Sequence, residues 1–399
     1  MFSNVETNKE KINEVFNRYI ESVFPSKEKA IEMLMSGKEL VFYFGIDPTG
    51  PDIHLGHITN FLTLKKIIKL GHKVIALIGD FTAQTGDPTG KGATRRSLTE
   101  KEIKDNLQTY LKQLYKILPK GSFEVRYNSA WFKKMTLSEF RVLLRQFTVQ
   151  QMIARDMFQT RIKKQESISL EEFFYPLMQG YDSVAMGVDG EIGGNDQTFN
   201  MLVGRDLVKT ILNKEKIVIA TKLLENPGTG KKLMNKSEGN YVSLNDSAQN
   251  MFGKVMALPD EAILPFFGLT TEVSDQRLNE TKDRLANGEN PKILKEELAF
   301  ELIKMCHGLK DAGEAQEEFE RVFTKKELPE KIEEYKLKSQ EGILEIMINS
   351  GLVESKSEAK RLISQNAVTI NGETVKNWEN KVNPGDVIKV GPRRFVKAI

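Results

Sequence analysis

The amino-acid sequence predicts an α/β protein built on a doubly wound parallel sheet. Three short apolar runs, at 40–47, 72–80 and 216–224, are typical of buried strands, and helix-like segments separate them over the first 240 residues. Sheets of this kind bind ligands at the carboxyl ends of their strands. The turns that follow these runs are therefore the places in which to look for chemistry.

The pattern becomes helical after residue 240. A helix is predicted over 292–308, where apolar side chains recur at a spacing near 3.6 residues, at Ile293, Leu294, Leu298, Leu302 and Ile303. The charged stretch 311–341 has few large apolar groups and is interpreted as a mobile linker that carries helical turns. A single solvated helix is the alternative.

The last 58 residues change character again. A helical pair, ILEIMINSG and SKSEAKRLISQ, precedes short strands that are punctuated by Asn-Gly at 371–372 and Pro-Gly at 384–385. This order indicates a small α+β domain at 342–399.

The composition excludes several classes of protein. Hydrophobic residues make up 40% of the 399 and charged residues 28%, which is ordinary for a soluble globular chain. No stretch approaches the roughly 20 apolar residues of a membrane helix, and no secretory signal is expected from the early acids of the N-terminus. Cys306 is the only cysteine, so an intramolecular disulfide and a thiolate-rich metal site are excluded and a reducing cytoplasm is expected. Four histidines leave little room for a histidine-built metal site, and a net charge of +3 does not by itself indicate a nucleic-acid partner.

The first candidate site is the turn after the 40–47 strand, YFGIDPTGPDIHLGHI. Its glycine, proline and threonine residues let backbone N–H groups approach a phosphate closely. A helix is expected to begin near His54, so that His54 and His57 share one face at the positive end of its dipole. Both can donate hydrogen bonds to a phosphate in a transition state, and Gly56 leaves room for a flat ring or a ribose. The alternative is that the two histidines are ordinary surface or core residues.

The second candidate site is a Gly- and Lys-rich loop, GTGKKLMNKSEGN, at 228–240. Because it has no apolar core, such a loop can close over a triphosphate, with its lysines acting as point charges. A solvated basic loop is the alternative for this stretch taken alone.

Further polar clusters could line a pocket. Asp87 lies in the turn GDFTAQTGDPTGK, where it can meet a cation such as a substrate ammonium. In YPLMQGYDSVAM, Tyr175, Gln179 and Asp182 lie at i, i+4 and i+7 on one helical face among apolar neighbours, which is more typical of a pocket wall than of a solvated face. The run EIGGNDQTFN (191–200) adds two glycines for close backbone approach, and then two polar candidates, Asp196 and Gln197.

The first turn resembles the HIGH signature of class I aminoacyl-tRNA synthetases, present here as His54-Leu55-Gly56-His57. Other nucleotidyltransferases also carry H-x-G-H, so this motif alone implies adenylate chemistry without naming an amino acid. The resemblance implies that His54, His57 and Thr49 serve catalysis and that the ATP site includes Gly45, Asp47 and Gly56.

The second loop resembles the K-M-S-K-S signature of the same class. Met234, Lys236 and Ser237 match it, whereas Leu233 stands at the first lysine and Asn235 at the middle serine. The resemblance places Met234 and Lys236 at ATP and gives Lys236 a catalytic role. Lys232, one residue before Leu233, is the candidate for the missing positive charge if the loop is shifted.

The polar clusters resemble the tyrosyl-tRNA synthetase family, and the E-I-G-G-N-D-Q spelling resembles its second bacterial subgroup. In that family the Y-x-x-x-Q-x-x-D helix holds the amino acid. The resemblance implies that the α-amino group of tyrosine is bound by Asp87, Tyr175 and Gln179, with Gln197 close by. It implies that the phenolic hydroxyl is bound by Tyr43 and Asp182. Gly194 and Asp196 are implied to bind ATP and its ribose. Phenylalanine would leave a buried carboxylate and a phenol unpaired, which makes its rejection strong.

This resemblance implies an enzyme that forms tyrosyl-adenylate from tyrosine and ATP, releases pyrophosphate and transfers tyrosine to the 3′-terminal ribose of tRNA(Tyr). Mg²⁺ is expected to arrive with ATP and not in a protein-built cage. Family members are homodimers that pair through an insertion, here around 130–170, where LLRQFTVQQMI supplies apolar surface. The alternatives are a tryptophanyl-type synthetase and an inactive RNA-binding paralogue; only Leu233 and Asn235 favour the paralogue.

The implied domain organisation has three parts. They are a Rossmann-like catalytic domain at 1–240, a helical anticodon-arm domain with a charged linker at 241–341, and an RNA-binding domain at 342–399. The last part resembles the S-four type through G-L-x-x-S-x-S-E-A-x-R-L-I, V-x-I-N-G and P-G-D.

Two basic groups are candidates for contact with tRNA. Lys356, Lys360 and Arg361 share one predicted helix of the C-terminal domain and can contact phosphate. A second basic run lies on the insertion and either meets the tRNA acceptor arm or is simply solvated; it consists of Arg155, Arg161, Lys163 and Lys164.

Overall fold

The structure is a computed structural model of the 399-residue chain. It describes residues 5–87, 98–234, 241–324, 332–338, 341–378, 380–391 and 394–399. Lys236, which the sequence predicts to bind ATP, lies outside the described residues, as does Asn235.

Within the described residues, six strands of the first half of the chain form one sheet. They are β1 (Ile20–Phe24), β2 (Val41–Ile46), β3 (Lys73–Ile78), β4 (Glu124–Tyr127), β5 (Gly190–Gly194) and β6 (Ile217–Thr221). Their spatial order is β1-β6-β5-β2-β3-β4, and all pairs are parallel except β1 with β6. The chain adds β3 and β4 on one side of β2 and then β5 and β6 on the other. This is the predicted doubly wound arrangement, and it opens a crevice at the carboxyl ends of β2 and β5, where the strand order reverses.

The three predicted strands are β2, β3 and β6. Both β3 and β6 are buried along almost their whole length, as expected for parallel strands that are covered on both faces. The sequence pattern did not predict β1, β4 or β5. The sequence of β5 is GEIGG, and its three glycines have low strand propensity, so no strand is predicted there. It forms a strand through its pairing with β2 and β6.

Twelve described helices accompany this sheet. They are α1 (Lys9–Val15), α2 (Lys27–Leu34), α3 (Ile58–Lys69), α4 (Thr82–Thr85), α5 (Glu100–Leu107), α6 (Tyr110–Leu114), α7 (Ser129–Phe132), α8 (Leu137–Leu144), α9 (Val149–Ile153), α10 (Asp156–Lys163), α11 (Phe174–Met186) and α12 (Thr198–Leu212). The contact between α11 and α12 depends on small residues, because a Cβ on Gly180 would lie 3.1 Å from the backbone nitrogen of Gly204. Within the described ranges, no helix combines the length and the apolarity that crossing a bilayer requires.

Helices α7 to α10 occupy the expected insertion. A small apolar cluster joins it to α11 and α12 and includes Leu143, Met152, Leu177, Val203 and Leu207. Other large apolar side chains between residues 137 and 170 are exposed to solvent: Leu137, Val142, Leu144, Val149, Ile162 and Leu170.

The next part of the described chain is helical, as predicted. Its helices are α13 (Ala248–Met256), α14 (Ile263–Thr270), α15 (Asp275–Ala286), α16 (Pro291–His307) and α17 (Leu309–Phe319). The helix predicted at 292–308 is α16, and four of its five predicted core residues are buried. The exception is Ile293, which is 42% exposed because it lies about 100° around the helix from its buried neighbour Leu294. One continuous apolar core runs from the sheet into these helices, so the change near residue 240 does not separate two cores.

The prediction of a mobile linker at 311–341 is wrong for its first half. That part is helix α17 followed by a π-helical turn at Glu320–Thr324. It is not a solvated helix either, since Ala312 and Ala315 are buried and the ring of Phe319 lies 4.9 Å from that of Phe252 in α13. The buried face consists mainly of alanines, which is why the charged sequence did not reveal it.

The C-terminal part has its own sheet and core. It contains α18 (Ile343–Asn349), α19 (Lys356–Ser364), β7 (Glu333–Tyr335), β8 (Val368–Ile370), β9 (Glu373–Thr374), β10 (Val387–Val390) and β11 (Arg394–Ala398). The strand order is β7-β11-β10-β8-β9, with β7 parallel to β11 and the other pairs antiparallel. Because β7 belongs to this sheet, the C-terminal unit begins before residue 342, the boundary expected from the sequence.

Candidate active site

A cavity of about 730 Å³ opens at the carboxyl ends of β2 and β5, at the point where the strand order reverses. It brings together all of the predicted amino-acid and nucleotide residues that the structure describes: Tyr43, Gly45, Asp47, Thr49, His54, Gly56, His57, Asp87, Tyr175, Gln179, Asp182, Gly194, Asp196, Gln197 and Met234. These residues come from segments up to 191 positions apart, from Tyr43 to Met234. Their convergence in one cavity is therefore a property of the fold and not of local sequence.

The two signature histidines lie side by side, although not on a helix that begins near His54. His54 caps a 3₁₀ turn at Leu55–His57, and helix α3 begins only at Ile58. The Nδ1 atom of His54 accepts a hydrogen bond from the Gly56 N–H at 3.1 Å, and the two imidazole rings are 4.1 Å apart. A Cβ on Gly56 would lie 2.9 Å from the His54 ring, so glycine at this position makes room for the histidine itself.

Asp47, just after β2, is held by two neighbours. Its Oδ2 accepts a hydrogen bond from the Tyr175 hydroxyl and its Oδ1 accepts one from the Thr82 hydroxyl, each at 2.8 Å. Burial, with Asp47 and Asp87 close by, raises the pKa of Tyr175 well above its usual value. Tyr175 therefore stays a neutral hydrogen-bonding group.

Asp182 is a buried carboxylate with two protein donors. The indole Nε1–H of Trp131 donates to its Oδ1 at 2.9 Å, and the Nδ2 atom of Asn128 donates to its Oδ2 at 3.4 Å. Burial raises the pKa of Asp182 well above its usual value, and these two donors oppose that rise. Neither Trp131 nor Asn128 was predicted, because both lie about 50 residues before Asp182 and carry no motif of their own.

The other predicted phenol-binding residue, Tyr43, is fully buried on β2. Its hydroxyl lies 2.9 Å from the Oγ atom of Ser183, the residue after Asp182. Burial raises its pKa well above the usual value, and the carboxylates of Glu191 and Asp182 act in the same direction. The hydroxyl is thus neutral and near two carboxylates.

A chain of amide side chains connects the remaining predicted residues. The Nε2 atom of Gln197 donates to Asp87 at 2.6 Å, and that of Gln179 donates to Glu191 at 3.1 Å. Asn200 lies between the two glutamines and donates to both of their Oε1 atoms, at 2.9 Å to Gln179 and 3.1 Å to Gln197. Asn200 was not predicted; the signal that could have found it is its place three residues after Gln197, on the same side of the helical turn that starts α12.

The second signature loop is described up to Met234. The side chain of Lys232 reaches the cavity, and its Nζ lies 2.6 Å from Oδ2 of Asp196. Leu233 instead packs against the main core, and its N–H donates to the Leu224 carbonyl at 2.9 Å. Of these two residues, the lysine and not the leucine faces the predicted nucleotide site.

The basic run on the insertion is divided by the fold. Arg161 is buried in an ion pair with Glu172 at 2.5 Å, and Arg155 is buried with its guanidinium 4.8 Å from the ring centre of Phe199. The side chains of these two arginines are packed inside the protein and are not solvated, whereas Lys163 and Lys164 are exposed.

The predicted RNA-contacting residues lie together on α19. Lys356, Lys360 and Arg361 are all exposed. The Nζ atom of Lys360 lies 5.4 Å from the ring centre of Trp378, a tryptophan that is 51% exposed. The helix thus presents cations beside an aromatic surface.

Comparison with known proteins places this geometry in a family. Residues 35–324 match the model for tRNA synthetases class I (W and Y), and residues 318–391 match the model for the Tyrosine–tRNA ligase SYY-like C-terminal domain. A tyrosine–tRNA ligase of Carboxydothermus hydrogenoformans is 43% identical, over 97% of this chain and 97% of the relative. One of Francisella tularensis is 44% identical, over 94% of each. The chain belongs to the tyrosine–tRNA ligase family.

A solved structure agrees with this family assignment. A C-terminally truncated mitochondrial tyrosyl-tRNA synthetase of Coccidioides posadasii superimposes with a TM-score of 0.61 at 25% identity, covering 77% of this chain and 90% of that one. Membership of the tyrosine–tRNA ligase family confirms the predicted α/β fold class and the predicted aminoacyl-tRNA synthetase activity. ATP, tyrosine and tRNA are the substrates that this membership implies.

Proposed function

We propose that the cavity at the ends of β2 and β5 is the site where tyrosine and ATP are joined to form tyrosyl-adenylate. The observation that carries the proposal is the convergence of both predicted sets, for the amino acid and for the nucleotide, in this one cavity. In the reaction, a carboxylate oxygen of tyrosine attacks the α-phosphorus of ATP and pyrophosphate leaves. Because the nucleophile belongs to the substrate, the protein contributes positioning and charge stabilisation.

We assign the tyrosine side of the cavity to helix α11 and its neighbours. Tyr175 and Asp182 are seven residues apart, roughly 10 Å along the helix axis, a separation suited to a ligand with an ammonium at one end and a phenol at the other. The ammonium would meet Asp87, Tyr175, Gln179 and Gln197. The phenol would meet Tyr43 and Asp182. The hydrogen-bonded chain from Asp87 through Gln197 supports the first group, and the burial of Tyr43 and Asp182 supports the second.

We assign the nucleotide side to the turn after β2 and to the second signature loop. His54, His57 and Thr49 would act on the phosphates. Gly45, Asp47, Gly56, Gly194, Asp196 and Met234 would line the ATP site, and the signature motif assigns Lys236 to ATP as well. The ion pair of Lys232 with Asp196 supports a loop shifted by one residue, in which Lys232 supplies the charge that Leu233 cannot.

Mg²⁺ would enter this site as part of the substrate, bound to the phosphates of ATP. Within the described residues, no group of three or more histidine, cysteine or acidic side chains is placed to hold a metal ion. Because Mg²⁺ would arrive bound to ATP, the reaction should require Mg²⁺ in proportion to ATP, and chelation should stop it reversibly.

The second half-reaction transfers tyrosine to tRNA, and we propose that the C-terminal part binds that RNA. Lys356, Lys360 and Arg361 would contact phosphates, and the exposed Trp378 beside Lys360 supports a nucleic-acid surface. We place this work in the cytoplasm, in keeping with the single reduced cysteine.

A second copy of the chain is the partner that the insertion fits. Leu137 and Leu170 are 84% and 71% exposed. Between them in the sequence, the apolar side chains of Val142, Leu144, Val149 and Ile162 are also exposed. Exposed apolar side chains in this number on one insertion support a homodimer. Sedimentation of the purified chain at about twice its monomer mass would be the expected result.

The proposal is tested by amino-acid-dependent exchange of pyrophosphate into ATP. Tyrosine should support exchange, and tryptophan and phenylalanine should not. Exchange with tryptophan instead would establish the tryptophanyl alternative. Absence of exchange with every amino acid, together with binding of tRNA, would establish the inactive paralogue, which Leu233 alone among the described residues favours.

A further inference from the structure

A buried ion pair lies at the wall of the cavity, where Glu191 is a lining residue and Lys216 lies behind it, and the chemistry assigned above gives it no role. Lys216, which immediately precedes β6, has no exposed surface, and its ammonium binds the carboxylate of Glu191 on β5. The same Nζ donates to the Ser183 Oγ at 2.7 Å and to the Met201 carbonyl at 3.3 Å, so all three of its N–H donors have acceptors. Burying two charges is costly even when they are paired. A pair in this place therefore calls for a reason beyond stability.

The residues that Lys216 binds are the ones that hold cavity side chains. Ser183 lies 2.9 Å from the Tyr43 hydroxyl, and Glu191 accepts a hydrogen bond from Gln179. Lys216 also lies beside Tyr43 directly, with Nζ 5.6 Å from the centre of its ring. The Lys216 ammonium is thus connected through Ser183 to Tyr43, which is predicted to bind the phenol of tyrosine. It is connected through Glu191 to Gln179, which is predicted to bind the α-amino group.

The ion pair also determines which end of the Gln179 amide faces Glu191. A carboxylate paired with an ammonium is ionised and only accepts hydrogen bonds, so Gln179 must turn its NH₂ group toward it. Its Oε1 then points the other way and accepts from Asn200, which leaves a second lone pair for another donor. That free lone pair is the one a substrate ammonium requires.

We propose that Lys216 is a positioning residue for tyrosine: through Glu191 it orients the Gln179 amide, and through Ser183 it holds the Tyr43 hydroxyl. The inference rests on the proposed function of the cavity. It also accounts for the two buried carboxylates near Tyr43, since Lys216 neutralises Glu191 and leaves Asp182 to accept the phenol hydroxyl. Lys216 itself touches neither substrate.

The packing around the ammonium is built to admit it. A Cβ on Gly204 of α12 would lie 2.6 Å from the Lys216 Nζ and 2.9 Å from the Ser183 Oγ. Burial lowers the pKa of Lys216, and the carboxylate of Glu191 acts in the opposite direction, in favour of the charged ammonium.

The test replaces the charged pair with a neutral one. In the double variant Lys216→Met with Glu191→Gln, no buried charge is left unpaired, so the chain should fold, but an amide at 191 can face Gln179 with either end. We expect the KM for tyrosine in pyrophosphate exchange to rise roughly three- to tenfold, with the KM for ATP unchanged, because oriented hydrogen bonds to the amino acid are lost. Ser183→Ala, which removes the link to Tyr43 and one of the three acceptors of the Lys216 ammonium but leaves the ion pair with Glu191, should raise the KM for tyrosine in the same sense.

The matched control is the ion pair between Arg205 of α12 and Glu215, outside the cavity, in which Glu215→Gln keeps an oxygen for the Lys216 N–H that donates to Glu215 at 3.2 Å. Arg205→Met with Glu215→Gln should leave both KM values unchanged. An unchanged KM for tyrosine in the folded Lys216/Glu191 double variant would overturn the positioning role. In that case, tyrosine-dependent exchange by the wild-type chain would still support the proposed function. If that variant does not fold, an unchanged KM in Ser183→Ala would overturn it. Absence of tyrosine-dependent exchange from the wild-type chain would overturn the proposed function and the positioning role together.

Discussion

Replacement of Asp182 by asparagine should weaken tyrosine activation without disturbing the pocket's shape. One carboxylate oxygen of Asp182 accepts from the Trp131 indole and the other faces the Asn128 amide. An asparagine can keep the Trp131 bond with its oxygen, but it then presents an NH₂ group where the phenol of tyrosine would donate. The acceptor proposed for the substrate is lost, while most of the protein's own contacts remain.

The size of this effect follows from the charge and burial of the site. A hydrogen bond to a charged partner contributes about 1.5–3 kcal/mol, and each 1.36 kcal/mol is a factor of ten. The kcat/KM for tyrosine in pyrophosphate exchange should therefore fall roughly 10- to 150-fold. Asp182→Ala should lose a similar factor and also about 1–3 kcal/mol of stability, because the Trp131 N–H is left without its acceptor.

The assay compares three variants for tyrosine and for phenylalanine. Asp189→Asn is the control, since Asp189 accepts a hydrogen bond from the Val41 N–H at 2.8 Å but lies outside the cavity. Its kcat/KM should match that of the wild type. The reasoning is refuted if Asp182→Asn activates tyrosine normally and still excludes phenylalanine, since the phenol would then be recognised elsewhere.

Three further outcomes are expected. Lys232→Ala, which removes the ammonium bound to Asp196, should slow adenylate formation about tenfold in a rapid-quench experiment with little change in tyrosine affinity; a normal rate would place the loop's charge elsewhere. A chain that ends at residue 324 should still form tyrosyl-adenylate and lose most tRNA charging, whereas equal loss of both half-reactions in the folded product would contradict a separable RNA-binding part. Truncation at 324 is preferable to truncation at 341, because β7 at Glu333–Tyr335 belongs to the sheet that is deleted. Burial raises the pKa of Cys306 to about 12, so this single thiol should fail to react with a disulfide reagent at pH 8 until the chain is unfolded in guanidinium; rapid reaction of the native chain would contradict its placement in the core.

The sequence by itself determined those features that depend on a few consecutive residues. Tyr175, Gln179 and Asp182 share a face because one helix turns every 3.6 residues, and the strands β2, β3 and β6 are marked by their own apolar runs. His54, Gly56 and His57 were recognisable for the same reason. Each of these predictions needed fewer than a dozen consecutive residues.

Some local features were nevertheless hidden by composition. Helix α17 buries alanines in place of large apolar side chains, so a charged stretch concealed a packed helix. β5 is rich in glycine and becomes a strand only through pairing with its two neighbours. The start of α3 at Ile58 depends on how His54 caps the preceding turn, which periodicity does not encode.

The tertiary structure alone decided what surrounds the site residues. Trp131 and Asn128 reach Asp182 across about 50 residues, and β7 pairs with β11 across about 60. Lys216 and Glu191 meet because β5 and β6 are adjacent in the sheet, although 24 residues separate them in the chain. Hydrogen bonds and ion pairs of this kind depend on distances of about 3 Å between atoms that the chain brings together only by folding. A single sequence shows which groups are present, and the fold determines which of them touch.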